Sequence, residues 1–144
     1  MAHQVHGTSD HQREDFEVVA DYCRAHFPDF FTAVTLEPDD ADLAVYRTSG
    51  ESLDPAVTAR FPHLRVAFRP SVRSERQLAD ALERLTNDRD LWFRQGVRIW
   101  LFGPQPSGRI LVETADPELA AERLAAHYPE TIFDVRQGYP PTPA

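Results

Sequence analysis

The most constraining feature of this sequence is an order of elements that occurs twice along the chain. Apolar residues at helical spacing in residues 10–27 precede two short strand-like runs, a helix start at Asp54 and a third strand-like run from Leu64. Ser74 begins a second series in the same order, which ends with the strand-like run 131–136. This order predicts an α+β fold built as a tandem αββαβ repeat.

Matching helix starts support the repeat. Asp54-Pro55 and Asp116-Pro117 each combine a favoured N-cap residue with a proline at the first helical position. We therefore expect the two pairs to occupy equivalent positions in the two series.

The boundaries predict four segments: a flexible arm (1–9), a first αββαβ unit (10–72), a second αββαβ unit (73–137) and a Pro-rich tail (138–144). The pattern also allows a second division, because the order from Leu64 onward is the βαββαβ order of ferredoxin-like folds. In either division we expect an antiparallel sheet with helices on one face.

Charge limits the classes of partner. The 144 residues carry a formal net charge of −8, which opposes binding to nucleic acid or to an anionic membrane and favours a basic protein partner. All 15 basic residues are Arg, a bias typical of GC-rich bacterial genomes. No apolar run is long enough to span a bilayer, and Met1 to Asp10 lacks the pattern of a secretory signal. These features predict a bacterial cytoplasmic protein without a membrane partner.

Two apolar features are predicted to belong to the core. Cys23, the single cysteine, lies on the apolar stripe of the first helix, so we expect a buried structural thiol. A single cysteine also rules out an intramolecular disulfide and a multi-cysteine zinc site. The aromatic group Leu91-Trp92-Phe93 is expected to close the core at the end of a helix.

Metal and cofactor sites are not predicted. The acidic loop 37–42 lacks the spacing of a calcium loop and is typical of a polar hairpin connection. His3, His6 and His11 lie in or beside the arm, where a stable metal site is not expected.

A sheet face that mixes arginine with aromatic side chains is the candidate binding surface. If strands 97–102 and 109–114 pair in register across Gly103 and Gly108, one face is aliphatic and suits the core. The opposite face then carries polar and aromatic residues: Arg98, Trp100, Phe102, Arg109 and Glu113. Neighbouring strands would add further arginines to it: Arg65, Arg69 and Arg136.

Such a face requires a cover, because a solvated face rarely exposes this much aromatic surface and a core rarely holds this many arginines. The acidic first half of the chain could cover it with the arginine stems lying along apolar surface. A second copy of the chain, in a homodimer, is another alternative, and a ligand or protein partner is a third.

The sequence favours binding over catalysis. It contains no nucleophile elbow, phosphate-binding glycine loop or zinc-protease motif, and no catalytic residue is predicted. The leading hypothesis is a non-catalytic binding or regulatory module that recognises a protein, with an immunity or inhibitor role as one version. The alternative is a small-molecule sensor or small enzyme that binds an anionic ligand on the Arg/Trp face.

Overall fold

The computed structural model describes residues 10–37 and 39–141. The predicted arm, with His3 and His6, lies outside the described residues, as do Pro38 and the last three residues of the predicted tail. The described chain has an α+β fold and divides into two compact units, Met1–Glu75 and Arg76–Ala144. We call them unit 1 and unit 2.

Unit 1 contains two helices and one three-stranded sheet. In chain order these elements are α1 (Asp10–His26), β1 (Phe31–Leu36), β2 (Leu43–Arg47), α2 (Leu53–Arg60) and β3 (Val66–Pro70). The sheet has the order β1-β2-β3, with an antiparallel first pairing and a parallel second pairing.

Unit 2 has the same sheet order and pairing, with one more helix before its first strand. Its elements are α3 (Glu75–Asn87), α4 (Arg89–Arg94), β4 (Ile99–Pro104), β5 (Ile110–Thr114), α5 (Pro117–His127) and β6 (Phe133–Gln137). The sheet order is β4-β5-β6, and β5 pairs antiparallel with β4 and parallel with β6.

The prediction of an antiparallel sheet is wrong for one pairing in each sheet. A helix connects β2 to β3, and another connects β5 to β6, so each last strand runs in the same direction as the strand before the helix. β3 pairs with β2, which places the strand after Leu64 in the sheet of unit 1.

Each unit buries its own apolar cluster between helices and sheet. In unit 1, Val19 and Cys23 of α1 and Val57 of α2 are fully buried against strand residues such as Val45. The equivalent cluster of unit 2 includes Leu85, Ile110 and Leu124, and the buried Tyr128 ring also belongs to it. Burying side chains of this kind contributes about 1.5–3 kcal/mol each.

The two Asp-Pro pairs do not start their helices in the same way. α2 begins one residue before Asp54, whose carboxylate instead accepts two hydrogen bonds from Arg47, of 2.9 and 2.7 Å. Asp116 does act as an N-cap, because its side chain accepts a hydrogen bond from the backbone N–H of Leu119. The prediction that Asp54 caps α2 is therefore wrong, and its carboxylate is engaged by Arg47 instead.

No helix in the described part of the chain is long and apolar enough to cross a membrane.

Cys23 should be chemically inert in the folded protein. Burial, followed by the charge of Asp54, raises the pKa of its thiol to about 12. At pH 8 this leaves about a thousandfold less thiolate than an ordinary cysteine has. Ellman's reagent should therefore react with the thiol only in denaturant, and rapid reaction of the native protein would contradict the assignment of Cys23 to the core.

The same thiol should make stability depend on alkaline pH. Cys23 ionises in the unfolded chain above pH 9, while the folded thiol stays protonated. The contribution of the protonated thiol to the free energy of unfolding is thus fully present below pH 9 and is lost as pH rises towards 12. Urea unfolding gives the free energy of unfolding at pH 8 and at pH 10.5. Between these two pH values it should fall by about 2 kcal/mol more in the native sequence than in Cys23→Ala. Equal losses in the two proteins would contradict this prediction.

Candidate functional site

A groove in unit 2 lies between the helices α3 and α4 and the strand β4. Its volume is about 560 Å³, which is within the range of ligand pockets in proteins. The helices contribute Leu85, Arg89, Trp92 and Phe93, and the strand side is formed by residues 97–102. All of these residues belong to unit 2.

The aromatic wall of the groove, Trp92 and Phe93, lies on α4, the helix that follows α3. α3 ends at Asn87, and α4 starts anew at Arg89, with Asp88 between them. Trp92 lies two helical turns after Leu85 and is buried like it, whereas the neighbouring Phe93 is 66% exposed.

Trp92 is fixed by a hydrogen-bonded chain behind the groove. Its indole N–H donates to the Tyr128 hydroxyl at 3.0 Å, and that hydroxyl donates to the Asp88 carboxylate at 2.6 Å. Burial and the Asp88 carboxylate raise the pKa of Tyr128 to about 12, so the hydroxyl remains a donor over the physiological range. The His127 ring packs edge-on against Trp92, with 5.1 Å between ring centroids.

A β-bulge places Trp100 in the opposite wall. Ile99 pairs with Thr114 and Leu101 pairs with Glu113, so Trp100 is an extra residue without a partner in β5. Its indole Nε1 is buried and has no hydrogen-bond partner among the residues that the structure describes. A buried donor left in this state costs about 1–3 kcal/mol.

The groove is positively charged within an acidic protein. Arg89 and Arg98 line it, together with no Asp or Glu. Neither side chain forms an ion pair within the described part of the chain. The Arg98 guanidinium lies 5.4 Å from the centroid of the exposed Phe93 ring, and Leu101 is 50% exposed beside them.

The hairpin register differs from the predicted one, because β4 continues to Pro104, which shortens the turn, and because of the bulge. In-register pairing would set Phe102 opposite Arg109, but Phe102 is opposite Val112 and packs against the core of unit 2 while it also lines the groove. Glu113 is half-buried opposite Leu101, and Gly138 lies against it. Arg109 is exposed next to the hairpin turn.

The five predicted arginines do not share one sheet face, because the chain forms two separate sheets. Arg65 and Arg69 belong to the sheet of unit 1, since β3 pairs with β2. There Arg65 pairs with Asp42 at 3.6 Å, and Arg69 pairs with Glu37. In unit 2, Arg136 pairs with Asp134 at 2.6 Å.

Of the eight residues predicted for the surface, the structure brings three to the groove: Arg98, Trp100 and Phe102. Arg136 instead serves a local interaction. Its guanidinium and the Gln105 amide donate to the Asp134 carboxylate and hold the pKa of that group below its ordinary value. An arginine used in this way has less charge available for an external anion.

Sequence reasoning missed Arg89 and Phe93 as groove residues. The core assignment of Leu91-Trp92-Phe93 holds for Trp92 but is wrong for Phe93. Helical spacing was the available signal for Phe93, because Trp92 continues the stripe of Leu78 and Leu85 and the residue next to it does not.

Among the described residues, no three His, Cys, Asp or Glu side chains lie close enough together to hold a metal ion. No protein-family description matches the chain, and no curated protein has significant sequence similarity to it.

The hydrogen-bonded chain behind the groove gives a direct test of this geometry. Tyr128→Phe removes the acceptor of the Trp92 indole and the donor to Asp88, and should lower the free energy of unfolding by about 1–3 kcal/mol. Tyr139→Phe is the matched control, because Tyr139 is 78% exposed and its change should have an effect within about 0.5 kcal/mol. Equal stabilities of the two variants in urea unfolding would contradict the geometry.

Proposed function

We propose that this protein is a non-catalytic recognition module of a bacterial cytoplasm, and that it binds a protein partner through the groove of unit 2. The observation that carries the proposal is the pair of arginines without carboxylates, Arg89 and Arg98, beside the exposed Phe93 and Leu101. Arginine and aromatic residues are enriched where proteins bind one another, and buried aromatic anchors supply much of the affinity.

Two charge arguments apply to different surfaces of the protein. The net charge of −8 favours a partner that is basic overall, as in an immunity or inhibitor role, because opposite charges accelerate association. The groove is locally positive, so the segment that enters it should be acidic or neutral. A basic partner with one acidic segment satisfies both conditions.

We also infer that the two units are copies of one αββαβ unit. Both sheets have the same strand order and pairings, and the first strand of each has a bulge at its second residue, Thr32 or Trp100. The residue after the last strand repeats the same contact: Ser71 N–H donates to the Arg47 carbonyl at 3.0 Å, and Gly138 N–H donates to the Thr114 carbonyl at 2.9 Å. These correspondences favour the tandem division over the ferredoxin-like one.

Site-specific photo-crosslinking in the native host tests the proposal. Benzoylphenylalanine at position 93 should capture a protein partner, because Phe93 is exposed at the groove. The matched control is position 18, since Val18 is 50% exposed but belongs to unit 1. Arg98→Glu should reduce capture at position 93 by about tenfold or more, because it reverses a charge at the interface.

Mass spectrometry of the crosslinked peptide would then identify the partner. Capture of the same proteins at positions 93 and 18, or capture unaffected by Arg98→Glu, would contradict recognition through the groove. The homodimer alternative predicts that the captured peptide comes from this same chain.

A small anionic ligand is the second candidate, favoured by the size of the groove and by the two arginines that line it. Native mass spectrometry of protein purified from its host tests it. A retained small molecule that is lost in Arg98→Ala would support this candidate, and a bare mass in both proteins would count against it.

A further inference from the structure

Unit 1 covers its own bulge with the segment that follows its sheet, residues 71–75, which we call the strap. Thr32, the bulged residue of β1, is 3% exposed, and its hydroxyl donates to the Arg73 carbonyl at 2.7 Å and contacts the Ser71 hydroxyl. Ser71 is also held at the end of β2, through its backbone hydrogen bond to Arg47. The polar atom in the bulge is therefore satisfied by the bent segment that leads into α3.

The strap also brings a carboxylate to an arginine beside the bulge. Glu75, at the end of the strap, accepts two hydrogen bonds from the Arg24 guanidinium, of 2.7 and 3.0 Å. Arg24 lies 5.8 Å from the ring centroid of Phe31, the residue before Thr32. In unit 1, therefore, the side chain at the bulge donates to a backbone carbonyl of the strap. The arginine that lies on the Phe31 ring is paired with a carboxylate of the strap.

Unit 2 has a bulge at the same place in its first strand, but different contacts surround it. Trp100 takes the place of Thr32 in the bulge, and its indole N–H has no acceptor among the described residues. Arg98 lies on the Phe93 ring without a carboxylate partner in the same part of the chain. The residues after Gly138 that the structure describes are Tyr139, Pro140 and Pro141, which contain no acid.

We propose that the groove of unit 2 binds an extended, acidic peptide segment of a partner protein, and that a carboxylate of this segment pairs with Arg98 as Glu75 of the strap pairs with Arg24. The segment packs on the partly exposed Trp100 ring. An apolar side chain of the segment packs between Trp92 and Phe93. This inference rests on the proposed function and specifies the chemistry of the partner.

The local charge and the strand edge support this occupant. Arg89 and Arg98 make the groove positive, which complements a carboxylate, and the protein is otherwise acidic. β4 lies at the edge of its sheet, and edge strands are common docking sites for extended peptides. Because the groove is already formed, most of the conformational entropy lost on binding is that of the peptide.

A peptide titration observed by NMR tests the inference. The probe is the capped peptide Ac-Ser-Val-Phe-Ser-Glu-NH2, which follows the strap but carries Phe in the third position to fill the aromatic wall. The ¹H–¹⁵N signal of the Trp100 indole, assigned with Trp100→Phe, should move on titration. The Trp92 indole is the internal reference, since it already donates to Tyr128.

Two controls isolate the carboxylate. The same peptide with Gln in the last position should bind about three- to fivefold more weakly. In Arg98→Ala the two peptides should bind equally. Arg65→Ala, which removes an exposed arginine from unit 1, should leave the preference for Glu unchanged.

The inference fails if the Trp100 signal does not move at millimolar peptide, or if the Glu preference survives Arg98→Ala. Movement with benzoate but not with the peptide would also overturn it, in favour of a small anionic ligand. Failure of the peptide while crosslinking at position 93 still depends on Arg98 would reject the extended acidic segment and leave the proposed function standing. Loss of that crosslinking dependence would reject the proposed function itself.

Discussion

A one-residue bulge near the start of the first strand is the constraint on which the arrangement of each unit depends. In a strand, neighbouring side chains point to opposite faces, so an extra residue reverses the faces of everything on one side of it. In unit 2 the bulge at Trp100 directs Phe102 to the core and leaves Leu101 exposed. The groove exists because the strand changes face at this point.

The two units satisfy the polar groups around their bulges differently. In unit 1, carboxylates of the same unit pair with the arginines near the sheet: Asp54 with Arg47, and Glu75 with Arg24. In unit 2 the arginines at the groove have no such partner among the described residues. A difference of this kind between otherwise similar units suits a division of roles, in which one unit is closed by its own chain and the other is open to a partner.

The sequence was informative where a signal is local. Apolar periodicity, prolines and glycines were sufficient to predict the order of helices and strands and the burial of Cys23. The hairpin register was not predictable, because a bulge has no signature in the residues around Trp100 and depends on how the whole strand packs. The parallel pairing of β3 with β2 depends on contacts between residues distant in sequence, which periodicity does not report.

For the candidate site, too, the sequence predicted local features but not contacts between distant residues. Arg98 and Trp100 were found because arginine and tryptophan alternate in a strand, which is a readable pattern. The ion pairs that occupy Arg65, Arg69 and Arg136 were not foreseen, because they depend on carboxylates that the fold brings near. An arginine in a sequence does not reveal whether its charge is already paired.

Cross-strand NOEs in the hairpin of unit 2 test whether β4 has the bulge at Trp100. The bulged register predicts contacts between the backbones of Ile99 and Thr114 and of Leu101 and Glu113, with Trp100 left without a partner between them. Contacts of Trp100 with Thr114 next to those of Leu101 with Glu113, or contacts of Trp100 with Leu111, would show instead a register without the bulge. In that case Trp100 would lie in an unbroken sheet face, and the groove on which the proposed recognition depends would not form.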